Sequence, residues 1–440
     1  MADVRPLPGL RYTDEKRAPE TYLPALVTPP YDVISAEEQA AYYARDPHNI
    51  IRLELGRDEP GDDELENRYT RAAATFAEWR LQGILRQDPP SHYVYDQRFV
   101  VNGQTHTRRS LMARVRLEPW EAKVILPHER TLSKPKDDRL KLLRACAANL
   151  SPIMAMFDDP AHELSDFLST KTANPPEASF TDDAGEEHLL WRIDDAPALD
   201  RIHAFFAGRQ LYIADGHHRY ETALTYRDEM AAARKGLPLD DPAQFTLMAL
   251  TAIEDPGLVV LPTHRILHDL SPEQTAALDT TLSRYFTVEP VSAEHALTAL
   301  EATAATSAAF LVVLPERILL LRETPNGKQA MRELSASRED ASDAWRSLDV
   351  AVLHTLLLDH MFGVSEEAIR AGRFVRYTRD AKQAIDDVQH GGDGSQIAVL
   401  LRPTPPAAIC DVAQAGSRMP QKSTYFYPKL LTGLVINPVW

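Results

Sequence analysis

The chain has 440 residues, 44% hydrophobic and 25% charged, which is the balance of a folded globular protein and excludes a disordered, collagenous or disulfide-stapled one. Lys and Arg number 48 against 64 Asp and Glu, and the formal charge of −16 argues against broad nucleic-acid binding, which needs a basic footprint. Cys146 and Cys410 lie far apart near no second ligand motif and are expected as buried thiols, no apolar run reaches the ~18 residues of a membrane span, and the first residues lack a signal-peptide pattern. These features predict a cytoplasmic protein without a membrane partner.

The first 30 residues are proline-punctuated and are expected to form an irregular arm ending at Thr28-Pro-Pro-Tyr31-Asp32. Ser35 reads as an N-cap with Glu38 as its capping-box partner. A helix over about 63–82 turns Ala72, Ala73, Phe76 and Trp79 to one side. Residues 92–99 and 107–117, joined across Asn102-Gly103, read as a β-hairpin with a type I′ turn. Ser133 to about Asn149 is a predicted helix with Pro135 in its first turn. The polar, acidic stretch 171–187 is the best candidate for a linker or exposed loop. Strands are expected at 210–214, 245–253, 258–261, 308–314 and 318–321, and helices at 220–233, 272–285, 293–302 and 348–361. The pattern is α+β. The chain reads as one composite unit over 5–440, the one subdivision suggested being 1–170 and 188–440 about that linker.

The segment Leu211-Tyr-Ile-Ala-Asp215-Gly216-His217-His218-Arg219-Tyr-Glu221 carries the strongest chemical signal. A short apolar strand runs through Asp-Gly directly into a helix, and the first N–H groups of a helix are a ready anion site. Three basic side chains at the positive end of a helix dipole cost about 0.3–1 kcal/mol each when nothing compensates, and a bound phosphate would reverse that sign. Asp215, Gly216, His217, His218 and Arg219 are therefore candidate phosphate-binding residues. Neither His-Glu-x-x-His nor its inverse is present, so no metal site made by protein side chains alone is expected.

A second cluster, Leu126-Pro-His128-Glu129-Arg130-Thr131-Leu-Ser133-Lys134-Pro-Lys136-Asp137-Asp138-Arg139, reads either as a solvated charged face or as the wall of a polar pocket. A third, Met419-Pro-Gln421-Lys422-Ser423-Thr424-Tyr425-Phe-Tyr427-Pro-Lys429, offers hydroxyls and lysines for phosphate or carboxylate contacts, or forms a docked final strand. Lys136 is a further phosphate candidate. Tyr31, His128, Glu129, Arg130, Lys422 and Ser423 are candidate substrate-pocket residues, expected to converge with Asp32 on the Asp215 turn.

Thr28–Ser35, His128–Arg144, Ile213–Glu221, Pro262–Arg265 and Met419–Lys429 together resemble the bacterial and archaeal family of unknown function 1015, in order and over nearly the whole chain. The Asp-Gly-His-His-Arg turn is similar to the signature of the wider ParB/sulfiredoxin-like superfamily, which implies a ParB/sulfiredoxin-like core around residues 210–233. In that superfamily such a strand–turn–helix cradles nucleotide phosphates, and members include free serine kinases, CTP-hydrolysing ParB proteins and sulfiredoxins. His217 stands where sulfiredoxins carry their catalytic cysteine, which speaks against sulfinic-acid reduction.

The serine-kinase branch shares the turn most closely and uses an early acidic residue as base, for which Asp32 corresponds by position, with Glu37 and Glu38 behind it. The resemblance thus implies a phosphotransferase acting between ATP or ADP with Mg²⁺ and a small hydroxyl substrate such as L-serine, or in phosphoserine turnover. Asp32, His217 and His218 would be catalytic, and Asp215 or Glu129 would touch the nucleotide-bound Mg²⁺. Two other readings stand beside it: a non-catalytic nucleotide- or metabolite-binding regulator, and a ParB-like nucleotide switch.

Overall fold

A computed structural model describes residues 1–13, 18–131, 133–276, 278–304 and 306–440. The chain divides into two compact units. Residues 1–127, 131–259 and 428–440 form the first, and residues 128–130 and 260–427 the second.

The first unit is built on nine strands among the described residues: β1 (Val4–Arg5), β2 (His92–Val101), β3 (Gln104–Arg116), β4 (Ile125–Leu126), β5 (Ile153–Phe157), β6 (Ala178–Thr181), β7 (Glu187–Ile193), β8 (Leu211–Asp215) and β9 (Phe245–Ala252). Their order in the sheet is β4–β8–β5–β9–β3–β2–β7–β6, with β1 alongside β3. β4 with β8 and β5 with β9 run parallel, and the remaining pairs are antiparallel. Every residue of β5 and β9 is buried, as expected of strands covered on both faces. The β2–β3 hairpin turns at Asn102 and Gly103, both with positive φ, as the Asn-Gly pair predicts.

The helices of this unit include α1 (Arg68–Leu81), α2 (Ser133–Cys146) and α3 (His217–Arg234). α1 starts at a capping Asn67 and buries Ala72, Phe76 and Trp79. α3 lays Tyr220, Ala223 and Tyr226 into the same core as Ile153, Ile213 and Leu250, and the Tyr220 hydroxyl donates to the carbonyl of Glu118 at 2.8 Å. Along the exposed flank of α2 and α3, Arg144 pairs with Glu229 at 2.9 Å.

Three sequence expectations are corrected in this unit. The proline-rich arm contains a helix, Pro19–Leu26, which buries Tyr22, Leu23 and Leu26 despite an internal Pro24. The polar stretch 171–187 is no linker, since it contains β6, the outermost strand of the large sheet. The predicted helix from Ser133 also ends at Cys146, because Ala147 takes a positive φ and the chain turns into a short strand at Ala148–Asn149.

The second unit is a six-stranded antiparallel sheet: β10 (His264–His268), β11 (Phe286–Val291), β12 (Ala309–Leu314), β13 (Arg317–Glu323), β14 (Val375–Thr378) and β15 (Ser395–Leu401), in the order β11–β13–β12–β15–β10–β14. Helix α4 (Ala381–Gln389) buries Ala384, Ile385 and Val388 against it. The helix expected over 348–361 is α-helical only for Asp349–Val352 and then widens into a π-helix over Leu353–Met361. Cys146 and Cys410 are both buried, as expected. Among the described residues no helix is long and apolar enough to cross a membrane.

Candidate active site

β8 delivers the chain to the turn with a fault in its register. Tyr212 and Ile213 pair with Met156 and Ala155, but the next pairing is Asp215 with Met154, so one residue bulges. A bulge bends a strand and re-aims the side chain that follows it, and here that side chain is Asp215. Gly216 follows at φ +94° as the N-cap of α3, and no side chain caps the helix. A Cβ at Gly216 would sit 3.0 Å from Arg219 Nε, so the positive φ disfavours a side chain and Arg219 would have to shift to admit one.

Asp215 is the electrostatic centre. Lys429 Nζ lies 3.4 Å from Oδ1 and Arg219 donates to Oδ2 at 3.1 Å. Burial alone would raise this carboxyl, yet Lys429, Arg219 and His217 together hold it well below the usual range, so Asp215 is ionised. Arg219 also donates to the carbonyl of Pro152, which tethers the first turn of α3 to the residue before β5.

One turn along α3, Glu221 receives Thr131 Oγ1 at 2.6 Å and Lys136 Nζ at 2.9 Å. His218 lies in the field of Glu221 and Asp32. Burial lowers its pKa against the pull of those two carboxylates, and Lys136 and Arg219 lower it further. The imidazole is therefore neutral at pH 7. The helix does not begin with three uncompensated cations: Arg219 is matched by Asp215, and His218 carries no charge.

The N-terminal arm reaches the same place. Tyr31 and Asp32 lie in a single 3₁₀ turn, Tyr31–Val33. The guanidinium of Arg139 stacks over the Tyr31 ring at 3.9 Å and pairs with buried Glu54 at 3.2 Å. Burial pushes the Tyr31 hydroxyl up to about 12, with Arg139, Asp32, Arg219 and Glu54 as its charged surroundings, so it stays protonated. Burial likewise raises Glu54, against Arg139 and Arg219. A cavity of about 40 Å³ is lined among others by Glu54, Arg139, Ser151, Arg219 and Thr222. Glu38, a reserve candidate for the base, is taken up by its capping box, its Oε2 accepting from Ser35 N at 2.7 Å.

The first unit thus assembles Tyr31, Asp32, Lys136, Asp215, Gly216, His217, His218 and Arg219 around one turn. Leu132 lies outside the described residues, as do the side chains of Ser133 and Lys134. Glu54, Arg139, Glu221 and Lys429 complete the charge balance; the last three stand within the charged segments of the sequence without a role assigned to them, and Glu54 lies outside those segments. Glu54 reads in isolation as an ordinary surface charge. Only the burial of Glu54 and Arg139 and the return of residues 428–440 to this unit reveal their part.

His128, Glu129, Arg130, Lys422 and Ser423 belong to the second unit. There His128 Nε2 meets Thr424 Oγ1 at 3.2 Å, Glu129 forms a parallel bridge with Met419, and Arg130 pairs with Asp340 at 2.9 Å. The Lys422 side chain is exposed, while its carbonyl accepts from buried Arg265 at 3.1 Å. Ser423 donates to the carbonyl of Pro420.

The model of a family described as protein of unknown function (DUF1015) matches residues 4–351. No curated protein matches the sequence. Among solved structures, a conserved hypothetical protein from Pyrococcus furiosus is similar at 10% identity and a TM-score of 0.34, over 73% of this chain and 92% of that one. A free serine kinase in complex with AMP is similar at 10% identity and a TM-score of 0.33, over 74% and 92%. SbnI with a C-terminal truncation, from Staphylococcus aureus, is similar at 11% identity and a TM-score of 0.33, over 73% and 85%.

Proposed function

This chain belongs to the DUF1015 family, and we propose for it phosphoryl transfer between a nucleotide and a small hydroxyl substrate, with L-serine as the substrate suggested by the resemblance of its Asp-Gly-His-His-Arg turn to that of serine kinases. The observation that carries the reading is the start of α3. A helix of 18 residues begins at a glycine with no side-chain cap, and His217, His218 and Arg219 head it. Backbone N–H groups and imidazole donors grouped in this way suit phosphate oxygens. The same turn is what the ParB/sulfiredoxin-like resemblance would place under a nucleotide.

Phosphoryl transfer asks a protein mainly for positioning and for charge stabilisation. Arg219 and Lys429 surround the phosphate position with positive charge that Asp215 keeps in place. Lys136, tied to Glu221, adds a cation whose charge is felt at His218. Asp32 is exposed and acts electrostatically on His218, which suits a base that takes the proton of an incoming hydroxyl. Neutral His218 can pass on or hold that proton.

Asp215, ionised and a quarter exposed, has the hard oxygen character that Mg²⁺ prefers. Mg²⁺ carried by ATP or ADP would neutralise phosphate charge there. The test is to incubate the purified protein with ATP or ADP, Mg²⁺ and a panel of amino acids, and to follow products by phosphorus NMR. Phosphoserine, or its consumption in the reverse direction, is the expected product. Absence of transfer to or from any hydroxyl substrate in the panel would overturn the proposal.

A further inference from the structure

A second cluster of ligating side chains lies in the first unit at the tip of the β6–β7 hairpin, in the stretch that composition alone marks as a linker. The turn runs from Asp182 to Glu186 and is closed by Asp182 N donating to the Glu186 carbonyl at 3.0 Å. Asp182 spends one carboxylate oxygen, Oδ1, on the backbone N–H groups of Ala184 and Glu186 at 2.9 and 3.0 Å. Its other oxygen, Oδ2, lies 3.1 Å from Nε2 of His188. Glu186 and His188 are two apart on an extended chain and so share one face. One ligand atom from each of Asp182, Glu186 and His188 lies within 4.8 Å of the other two.

The histidine is built in rather than incidental. It is 1% exposed. Its ring is stacked on Tyr95 and tilted against Phe180, with centroids 5.9 and 5.0 Å away. Nδ1 lies 2.8 Å from the Tyr95 hydroxyl. Nε2, although close to Asp182, makes no hydrogen bond of acceptable geometry. A ring whose Nδ1–H points at a fixed oxygen presents the lone pair of Nε2 on the opposite side, which is the arrangement of a metal-bound histidine held by an outer partner. With Nδ1–H given to Tyr95, that lone pair would face the carboxylates of Asp182 and Glu186, and a cation between them would turn the arrangement from repulsive to attractive.

We propose that Asp182, Glu186 and His188 bind one divalent transition-metal cation. Bonds of about 2.0–2.2 Å set tetrahedral ligand atoms roughly 3.3–3.6 Å apart, so ligand atoms that lie within 4.8 Å of one another close up by at most about 1.5 Å, within reach of side-chain rotation. One imidazole with two carboxylates selects Zn²⁺, Mn²⁺ or Co²⁺ over Mg²⁺ and Ca²⁺, which take all-oxygen shells. Three protein ligands leave a position open to water or a small ligand. The route in is a cavity of about 380 Å³ beside Asp182, lined also by Thr28, Tyr42 and Arg45. Arg45 pairs with the neighbouring Asp183 and leaves Asp182 to the cluster.

The test is titration of the nucleotide-free protein with Co²⁺, followed by visible absorption and by equilibrium dialysis. One equivalent bound with ligand-field bands, resistant to millimolar Mg²⁺, is expected. Asp182→Asn and Glu186→Gln should each weaken binding about tenfold or more, and Tyr95→Phe should weaken it about 10- to 100-fold through the lost outer hydrogen bond. No Co²⁺ bound by the wild-type protein, or Co²⁺ bound unchanged by the Asp182→Asn, Glu186→Gln double variant, would overturn the proposal and leave His188–Asp182 as an ordinary buried pair. The wild-type spectrum is decisive even where a variant fails to fold.

Discussion

Asp32 and His264 show how the surroundings of one residue set its chemistry. Asp32 lies exposed beside a neutral His218 and in the same turn as Tyr31, whose ring Arg139 fixes. A base acts on the acceptor in the transition state and contributes little to holding the nucleotide. Asp32→Asn should therefore lower kcat by about 10²–10⁴-fold with nucleotide affinity nearly kept. Steady-state kinetics beside calorimetry reads the two separately, and full activity in the Asn variant would place the base elsewhere. His264 is a structural counterpart in the second unit. Its Nδ1 accepts the backbone N–H of Leu401 at 3.2 Å, which requires an unprotonated nitrogen. Burial, helped by Arg265, lowers its pKa from 6.5 to about 4. The unfolded chain thus binds the proton first as pH falls, so this contribution is whole above pH 6.5 and is lost between 6.5 and about 4. At about 1.4 kcal/mol per pKa unit the loss is on the order of 3 kcal/mol. In a pH series of thermal melts, His264→Gln, which keeps an acceptor and does not titrate, should flatten the acid side of the curve. An unchanged slope would contradict this role for His264.

At the scale of elements, the turn between β8 and α3 is where strand register, glycine conformation and helix start must agree. Gly216→Ala would force a side chain into φ +94° and against Arg219. The left-handed conformation alone costs roughly 1–2 kcal/mol, and displacement of Arg219 would loosen Asp215 as well. The expected outcome is a lower melting temperature together with weaker phosphate binding, read by calorimetry. A variant as stable and as tight as wild type would show the turn to be less constrained than its geometry implies. This turn was legible in the sequence because its parts are contiguous: an apolar strand, Asp-Gly, then basic residues. The β2–β3 hairpin was legible for the same reason, through Asn102-Gly103. The strand β6 was not, because Ala178–Thr181 is short and flanked by Pro175, Pro176 and a run of acids. Its burial of Ala178 and Phe180 is set by pairing with β7 and not by its own periodicity. The helix at Pro19–Leu26 was hidden by proline, which normally breaks a helix interior by removing a donor.

At the scale of the whole molecule, the first unit is assembled from three separated stretches of chain, and the last of them is short. Residues 428–440 bury Leu430, Leu431, Leu434, Val435, Ile436 and Val439, pair Asn437–Pro438 with Ala148–Asn149, and supply Lys429 to Asp215. Each buried apolar side chain is worth roughly 1.5–3 kcal/mol, against a total stability of about 5–15 kcal/mol for a typical domain. Truncation after Tyr427 should therefore unfold the first unit, seen as loss of its cooperative melt. A truncated protein that melts as the full chain does would contradict this. The sequence could not show this closure, since no local pattern in Pro428–Trp440 says which distant strand it will meet, and Lys429 carries no mark of its partner.

The claim on which the proposed function rests is that the Asp215–Arg219 turn holds phosphate. Isothermal titration of the full-length protein with ATP, ADP, AMP and inorganic phosphate, with and without Mg²⁺, tests it most directly. Alongside wild type, the same titrations are run on His217→Ala and Arg219→Ala. Each lost charge-assisted contact is worth about 1.5–3 kcal/mol, so both variants should lose affinity by roughly tenfold or more. Nucleotide and phosphate affinities unchanged in both variants, or no binding by the wild-type protein, would contradict it.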